Sequence, residues 1–280
     1  MIFFEILKVV VLGIVEGVTE WLPISSTGHM ILLDEVISLN LSDEFLSLFL
    51  VVIQLGAILA VPILFWDRLY PFGKKTSKKE KSEIWSVWAK VIVGSVPAAI
   101  LGFLLDDVLD RYLYNYIVVA IALIVYGIIF IFAEKIRADN KNVIGSLVEL
   151  TYMDALKIGA FQSLSLIPGT SRSGSTILGG MFIGASREVS AEFSFFMAIP
   201  IMLGASVLKI AKFILSGYTA TAEECLLLFI GIIVSFAVSM IVIKFLMDYV
   251  KKHDFKIFGV YRIILGTLVL MYFLIKSFVV

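Results

Sequence analysis

The chain has 280 residues, of which 60% are hydrophobic and only 16% are charged, and its mean hydropathy is +1.01. Soluble domains carry roughly 45–50% apolar and about 25% charged residues, so the composition excludes a soluble globular protein and indicates an integral membrane protein. The formal net charge is zero, which excludes a general attraction to nucleic acid. The single cysteine, Cys225, excludes an intrachain disulfide and a paired-cysteine metal site.

Six apolar stretches are long enough to cross a membrane, which takes about 20 residues. We predict spans at residues 45–66, 85–105, 115–134, 190–213, 225–247 and 258–279. Two further apolar regions, at 2–38 and 150–184, are each broken by a proline followed by Ser, Thr and Gly residues. Such interruptions favour re-entrant hairpins whose loops are buried in protein. The alternative is a full first span followed by an amphipathic surface helix.

The two halves of the chain resemble each other. Residues 42–57 align without gaps to residues 190–205, and seven of the sixteen aligned positions are identical. The breaks lie at a similar offset, at Pro23 and Pro168. Each half therefore contains one broken hairpin and three spans, and this odd number predicts that the second half is inverted relative to the first.

The predicted fold class is an all-α integral membrane protein with six transmembrane helices and two re-entrant helical hairpins in an inverted-topology repeat. Residues 1–280 form one membrane domain, with the first repeat at about 1–140 and the second at about 145–280. Inverted repeats place the functional site near the membrane midplane, where the two broken hairpins meet. We therefore expect the two breaks to face each other.

Lysine and arginine are concentrated in alternate loops. The loops at 67–84, 135–149 and 248–257 are basic, whereas the loops at 106–114 and 214–224 are acidic. Because basic loops stay on the cytoplasmic side, we expect these three loops in the cytoplasm. Both termini are then expected on the outer side of the membrane.

Two carboxylates lie in the first broken region. Glu16 and Glu20 are four residues apart, so both project from one face of a helix. Two bare carboxylates there repel each other, and such a pair suits a hard divalent cation held by oxygen ligands beside phosphate groups. The alternative is a solvated pair at a helix end.

A hydroxyl-rich segment follows the first break. It contains Ser25, Ser26, Thr27, Gly28 and His29, which we predict to open a helix whose free N–H groups attract an anion. Either serine lies three or four residues before the histidine, so either hydroxyl can share a face with the imidazole. A paired serine and histidine is the arrangement of an activated nucleophile. The alternative is an ordinary helix cap.

The second break carries an arginine among hydroxyl groups. Thr170, Ser171 and Ser173 surround Arg172. A guanidinium in this position needs an anionic partner, and its planar fork suits phosphate oxygens. The surrounding hydroxyls and amides add further donors. The alternative is an internal ion pair of Arg172 with one of the two glutamates, and the two interpretations are compatible if phosphate inserts between the charges.

Along the whole chain these motifs resemble the undecaprenyl-diphosphatase, or bacitracin-resistance protein, family. The resemblance rests on EGVTEWLPISSTGHMIL at 16–32, QLGAILAV at 54–61 and PGTSRSGSTI at 168–177. It implies hydrolysis of undecaprenyl diphosphate to the monophosphate, which recycles the lipid carrier of peptidoglycan synthesis and gives bacitracin resistance. It also implies a divalent cation, Mg²⁺ or Ca²⁺, and an active site open to the outer face of a bacterial cell membrane.

The resemblance and the motifs together suggest roles for individual residues. The catalytic residues would be Glu16, Glu20, Ser26, His29 and Arg172, with the two glutamates binding the cation. The phosphate would be held by Ser25, Thr27, Gly28, Thr170, Ser171, Arg172 and Ser173. Attack by Ser26 with His29 as base rests largely on the resemblance, and Ser25, His29 itself or a water molecule are the alternative nucleophiles.

Two other mechanisms compete with this hypothesis. A transporter or lipid flippase is one, because inverted repeats with broken helices are typical of alternating-access proteins. A serine and histidine beside paired carboxylates favours an enzyme instead. The type-2 phosphatidic-acid phosphatases also use serine, histidine and arginine, but they need a histidine where this chain has Leu178. The expected partners are the lipid substrate, the membrane and a second copy in a homodimer, without nucleic acid.

Overall fold

The computed structural model describes residues 2–34, 37–73, 76–113, 115–138 and 144–279. Within these ranges the chain is helical, and the one β-type contact is an isolated bridge between Ile144 and Ala185. Three lysines of the predicted basic loops lie outside the described residues: Lys74, Lys75 and Lys141.

Eleven α-helices follow one another in the described part of the chain. The first half contains α1 (Ile2–Thr19), α2 (Ser26–Asp34), α3 (Asp43–Leu64), the short α4 (Trp66–Leu69), α5 (Lys78–Leu113) and α6 (Tyr116–Ala138). The second half contains α7 (Tyr152–Ser163), a 3-10 turn (Leu164–Leu166), α8 (Arg172–Phe182), α9 (Arg187–Leu215), α10 (Ala222–Val250) and α11 (Lys256–Val279).

Six of these helices are long and apolar enough to cross a membrane: α3, α5, α6, α9, α10 and α11. This confirms the predicted all-α fold with six transmembrane helices. Two helix ends differ from the prediction, since α5 continues through the predicted loop at 106–114 as far as Leu113. α10 begins at Ala222, because Thr221 and Glu224 form a capping box that places the acidic residues in the first turn.

Both broken regions fold as two shorter helices joined by a turn. The residue before each second helix has the same left-handed backbone, with a φ of 72° at Ser25 and at Ser171. Each of these hydroxyls accepts a hydrogen bond from the N–H three residues later, at Gly28 and Gly174. The two breaks therefore share one local geometry. Their re-entrant course and the inverted repeat stay predictions.

The helices of the two halves are interleaved. α1 and α3 pack on α10, α6 packs along α11, and α7 packs on α5 and α8. Small residues allow the closest of these contacts. A Cβ atom added to Gly159 would lie 2.1 Å from the carbonyl oxygen of Gly94. The breaks are consequently held between tightly packed helices.

Ion pairs place the three basic loops at one end of the bundle. Arg187 on α9 donates to Glu134 at the end of α6, with an Nη2–Oε2 distance of 2.6 Å, and the N–H of Phe255 donates to the other oxygen at 2.9 Å. Arg68 follows α3 and pairs with Glu192 on α9. The loops that follow α3, α6 and α10 are thereby joined through α9.

Candidate active site

The two breaks lie against each other in the interior of the bundle. Nη2 of Arg172, the first residue of α8, donates to Oε1 of Glu20 at 2.7 Å. The hydroxyl of Ser173 donates to the carbonyl oxygen of Leu22 at 3.3 Å. Residues that are about 150 positions apart thus form one site, which confirms the expectation that the breaks meet.

Arg172 is held from three sides. Its Nη1 donates to the carbonyl oxygen of Ser194 on α9 at 3.0 Å, and its guanidinium lies over the ring of Trp21 at 5.4 Å. The ion pair with Glu20 is the internal pairing that the sequence left open. The Nε atom of Arg172 is buried and has no hydrogen-bond partner in the described part of the chain. The guanidinium therefore keeps a free donor for an anion.

The two carboxylates differ in their surroundings. Glu20 is compensated by Arg172, and its Oε2 also accepts a hydrogen bond from the Ser26 hydroxyl at 3.4 Å. Glu16, one turn earlier on α1, is only 2% exposed. Its Oε1 atom has no partner among the described residues. Because a buried carboxylate without a partner is costly, Glu16 is the group that still needs a cation or a donor.

A cavity of about 280 Å³ opens beside these groups, between α1, α2, α3 and the segment after α2. Its polar wall contains Glu16, Ser26, Thr27 and Gln54. The rest of the wall is apolar and is formed by Leu12, Met30, Ile37, Leu39, Leu46, Leu50 and Val51. Gln54 lies inside the predicted span at 45–66 and reaches this wall from α3. The cavity therefore has one polar wall, next to the carboxylates, and one apolar wall.

The two serines of the first break have different positions. Ser25 is 1% exposed, and its hydroxyl is used as a cap by the N–H of Gly28 at 3.4 Å. Ser26 is half-buried and faces the cavity. Of these two hydroxyls, the one on Ser26 is accessible to a ligand.

His29 bonds the backbone of Ser25 and a tyrosine of α11, and not the hydroxyl of either serine among the hydrogen bonds of the described residues. Its Nδ1 lies 2.8 Å from the carbonyl oxygen of Ser25, and its Nε2 lies 2.7 Å from the hydroxyl of Tyr261 on α11. A carbonyl only accepts, so Nδ1 carries the proton, and the Nε2 of a neutral ring accepts from Tyr261. The two rings are stacked with an interplanar angle of 8°. The structure therefore couples His29 to Tyr261 and not to Ser26.

The hydroxyls of the second break mostly shape the turn. Thr170 donates to the carbonyl oxygens of Leu164 and Ile167 at 2.9 and 2.8 Å. Ser171 caps α8 through the N–H of Gly174 at 3.1 Å, and its oxygen lies 3.1 Å from the Ser173 hydroxyl. These contacts fix the turn that presents Arg172.

Arg262 on α11 is a residue that the motif analysis missed. It is 0% exposed, and it donates to the carbonyl oxygen of Pro23 in the first break and to those of Gly169 and Thr170 in the second. One signal was available in the sequence, because Arg262 is an arginine inside the predicted span at 258–279, and such residues are functional candidates by default.

Nearly the whole chain is similar to known proteins. The family model described as "Bacitracin resistance protein BacA" matches residues 9–268. A protein of Acetivibrio thermocellus named undecaprenyl-diphosphatase is 56% identical over 270 residues, which is 96% of this chain and 98% of that protein. A protein of the same name from Enterococcus faecalis is 56% identical to this chain, and the match covers 96% of this chain and 97% of the relative. Another from Desulfitobacterium hafniense is 53% identical over 100% of both chains.

Proposed function

Since this chain belongs to the bacitracin resistance protein BacA family, we propose that it hydrolyses undecaprenyl diphosphate to undecaprenyl phosphate and inorganic phosphate. The three relatives described above carry the name of this diphosphatase, and none of the three is named as a transporter. The chain is accordingly an enzyme of the phosphatase class of hydrolases. The site supports this substrate because Arg172 is linked through Glu20 to Ser26, which lines the largely apolar cavity.

The cavity suits an amphiphile with an anionic head. Arg172 has an unused Nε donor, and the N-termini of α2 and α8 present N–H groups that favour an anion. The diphosphate would lie between these donors, next to Ser26 and Thr27. The apolar wall around Leu12 and Met30 would take the first units of the prenyl chain. This adjacency is the observation that carries the proposal.

In the proposed reaction the oxygen of Ser26 attacks the terminal phosphorus. The P–O bond to the bridging oxygen breaks, so undecaprenyl phosphate leaves, and water then releases inorganic phosphate from the serine. The distance of 3.4 Å between the Ser26 hydroxyl and Oε2 of Glu20 supports this carboxylate as the acceptor of the serine proton. Arg172 and the helix N-termini would stabilise the charge that develops on the phosphoryl oxygens.

His29 receives a different role from the one the sequence suggested. Its Nδ1 and Nε2 are engaged by Ser25 and Tyr261. We therefore assign it to fixing the turn that presents Ser26, and not to removing the proton of that serine. His29 as the nucleophile would require the hydrogen bond from Tyr261 to break first, because this bond occupies the lone pair of Nε2.

A divalent cation fits the residues that are present. Among the described residues no group of three or more His, Cys, Asp or Glu side chains is arranged to hold a metal ion. Mg²⁺ is commonly held by one or two carboxylates together with substrate phosphates and water, and the buried, unpartnered Oε1 of Glu16 suits such a site. Glu16, assisted by Glu20, would hold Mg²⁺ or Ca²⁺, which would neutralise charge on the diphosphate.

The orientation of the chain is part of the proposal. The three basic loops share one end of the bundle, which we place in the cytoplasm because basic loops are retained there. The cavity is lined by Ile37 and Leu39 from the segment after α2, which the predicted topology places on the other side. The site would then take its lipid from the outer leaflet. A homodimer stays a prediction.

A phosphate-release assay tests the proposed function. The purified protein in detergent is given undecaprenyl diphosphate and Mg²⁺, and inorganic phosphate is measured over time. Wild-type protein should release phosphate, whereas Ser26→Ala and Arg172→Met should not. Ser216→Ala serves as a control, because this exposed hydroxyl donates to the carbonyl oxygen of Phe213 and accepts from the N–H of Tyr218, both at the end of its own helix. Wild-type protein that binds the lipid without releasing phosphate would contradict the proposal.

A further inference from the structure

One side chain from the last helix joins the two breaks. Arg262 donates from Nη1 to the carbonyl oxygen of Pro23 at 3.1 Å, and from Nη2 to those of Gly169 and Thr170 at 2.8 and 2.9 Å. We propose that Arg262 is a positioning residue, which holds the turn bearing Glu20 and the turn bearing Arg172 at the separation that the reaction needs. This inference rests on the proposed function.

The need for such a residue follows from the broken helices. A helix break leaves carbonyl groups without intrahelical donors, and buried carbonyls need partners. Three of these carbonyls, from breaks that are about 145 residues apart, receive their donors from Arg262. Without it, both turns would have to rearrange to find other donors. The direct contacts between the breaks, including the ion pair of Arg172 with Glu20, depend on the same turns.

The guanidinium also brings a positive charge close to the anion site. Its partners are three neutral carbonyls and the ring of Tyr126, which lies 5.3 Å away. None of these partners cancels its charge. Because the carbonyls belong to residues just before α2 and α8, Arg262 adds to the positive potential at the N-termini of both helices. It therefore adds to the stabilisation of the charge that develops on the phosphoryl oxygens during the reaction, without touching the phosphate.

The chemistry of the contact favours arginine over lysine. The two Nη atoms point to different turns, and a planar fork can hold both at once. A single ammonium group on a shorter side chain can serve one turn well, but not both. The first turn of α8 also packs directly on the guanidinium, since a Cβ atom on Gly174 would lie 3.0 Å from Nη1 of Arg262. A glycine at this position thus leaves room for Arg262.

Two readouts test the inference, one of them independent of activity. The first is kcat and KM for undecaprenyl diphosphate. The second is the emission of Trp21, which lies in the first break under Arg172 and is 0% exposed. It is measured in a background where the other three tryptophans are replaced by phenylalanine: Trp66, Trp85 and Trp88. The variants are Arg262→Met, Arg262→Lys and, as a control, Phe273→Ala.

Phe273→Ala is a matched control because it weakens the contact between α11 and α6 at a distance from Arg262. Its ring stacks on Tyr116 of α6 at 4.2 Å, three helical turns from Arg262. We expect Phe273→Ala to lower the melting temperature and to leave kcat and the Trp21 emission unchanged. Arg262→Met should lower kcat by about 100-fold, as expected for misplaced catalytic groups, with little change in KM. It should also shift the Trp21 emission.

The outcomes separate this inference from the proposed function. Folded Arg262→Met with wild-type kcat and wild-type emission overturns it, as does an equal loss in Phe273→Ala. If wild-type protein releases no phosphate but Arg262→Met alone shifts the emission, the proposed function fails and the positioning role stands. If Arg262→Met does not fold, Arg262→Lys decides, because we expect its kcat to fall roughly tenfold. A wild-type kcat and emission in that variant would overturn the inference.

Discussion

Nη2 of Arg172 lies 2.7 Å from Oε1 of Glu20, although the two residues are separated by 152 positions. Their side chains are 11% and 9% exposed, so the two charges compensate each other inside the protein. In the proposed reaction an incoming diphosphate competes with Glu20 for the guanidinium. The ion pair therefore compensates both charges before the substrate binds. When the diphosphate displaces Glu20, the N–H groups of the guanidinium become available to the phosphate oxygens.

The first prediction concerns this ion pair. Arg172→Met should abolish phosphate release and destabilise the protein by about 3–5 kcal/mol, because Glu20 is left as an uncompensated buried charge. The double variant Arg172→Met/Glu20→Leu should regain much of the lost melting temperature, since no buried charge remains, while activity stays absent. Thermal unfolding in detergent measures the difference. If the double variant is no more stable than Arg172→Met, the charge of Glu20 does not depend on Arg172 for its compensation, and the prediction is wrong.

The second prediction separates the two serines of the first break. Ser26→Ala should lower kcat by more than about 1,000-fold, as removal of a nucleophile does. Ser25→Gly should cost far less, because glycine accepts the φ of 72° and the lost cap costs only a few tenths of a kcal/mol. Trapping of a phosphorylated serine by rapid quench and mass spectrometry identifies the residue. A phosphoryl group on Ser25, or equal losses in both variants, would contradict the assignment.

Much of the fold follows from the sequence because membrane spans are long and apolar. The six spans and both breaks needed only local information, namely a proline followed by small polar residues inside an apolar run. The repeat predicted that the two breaks meet, but it left open whether Arg172 pairs with Glu16 or with Glu20. Helix ends were less predictable. α5 extends to Leu113 through an acidic segment that the charge pattern had assigned to a loop.

The contacts of α11 could not be derived in the same way. Tyr261 and Arg262 are consecutive residues, and they reach His29 and the two breaks respectively. No local motif predicts these contacts, because they depend on how α11 packs along α6. Helical spacing allowed either Ser25 or Ser26 to share a face with His29, and the choice of Ser26 rested largely on the resemblance. In the structure Nε2 of His29 is hydrogen-bonded to Tyr261, which is more than 230 positions away.

The third prediction concerns the contact between His29 and Tyr261. Tyr261→Phe removes the hydroxyl that donates to Nε2 and keeps the stacked ring. We expect kcat to fall by roughly tenfold, because the turn that presents Ser26 loses one of its supports. The pH dependence of kcat should also change, since Nε2 becomes free to bind a proton. Tyr152→Phe, at the exposed start of α7, is the control, and an unchanged pH profile in Tyr261→Phe would contradict this role.

The fourth prediction uses two glycines that the repeat aligns with each other. A Cβ atom on Gly56 would lie 2.1 Å from the carbonyl oxygen of Ile232, whereas one on Gly204 would meet nothing within 4 Å. Gly56→Ala should therefore destabilise the packing of α3 on α10 by about 1–3 kcal/mol. Gly204→Ala should leave stability unchanged or raise it slightly. Melting temperatures in one detergent compare them, and equal values would contradict the close approach of the two helices.

The fifth prediction concerns the cation. Removal of divalent ions with a chelator should stop phosphate release, and added Mg²⁺ or Ca²⁺ should restore it. Glu16→Gln should raise the metal concentration needed for half of the maximal rate by at least about tenfold, since a charged ligand is lost. Glu149→Gln changes an exposed carboxylate that bonds Gly145 and Ser146 and does not line the cavity, so it should behave as wild type.

A direct measurement of metal binding completes this test. Mn²⁺ is titrated into the protein without lipid, and the free ion is followed by electron paramagnetic resonance. Because Glu16 has an unpartnered buried oxygen, wild-type protein and Glu149→Gln should bind Mn²⁺ more tightly than Glu16→Gln. Equal binding by all three proteins, together with an unchanged metal requirement in the assay, would remove Glu16 from the metal site. The reaction would then depend on Arg172 and the helix N-termini to neutralise the diphosphate.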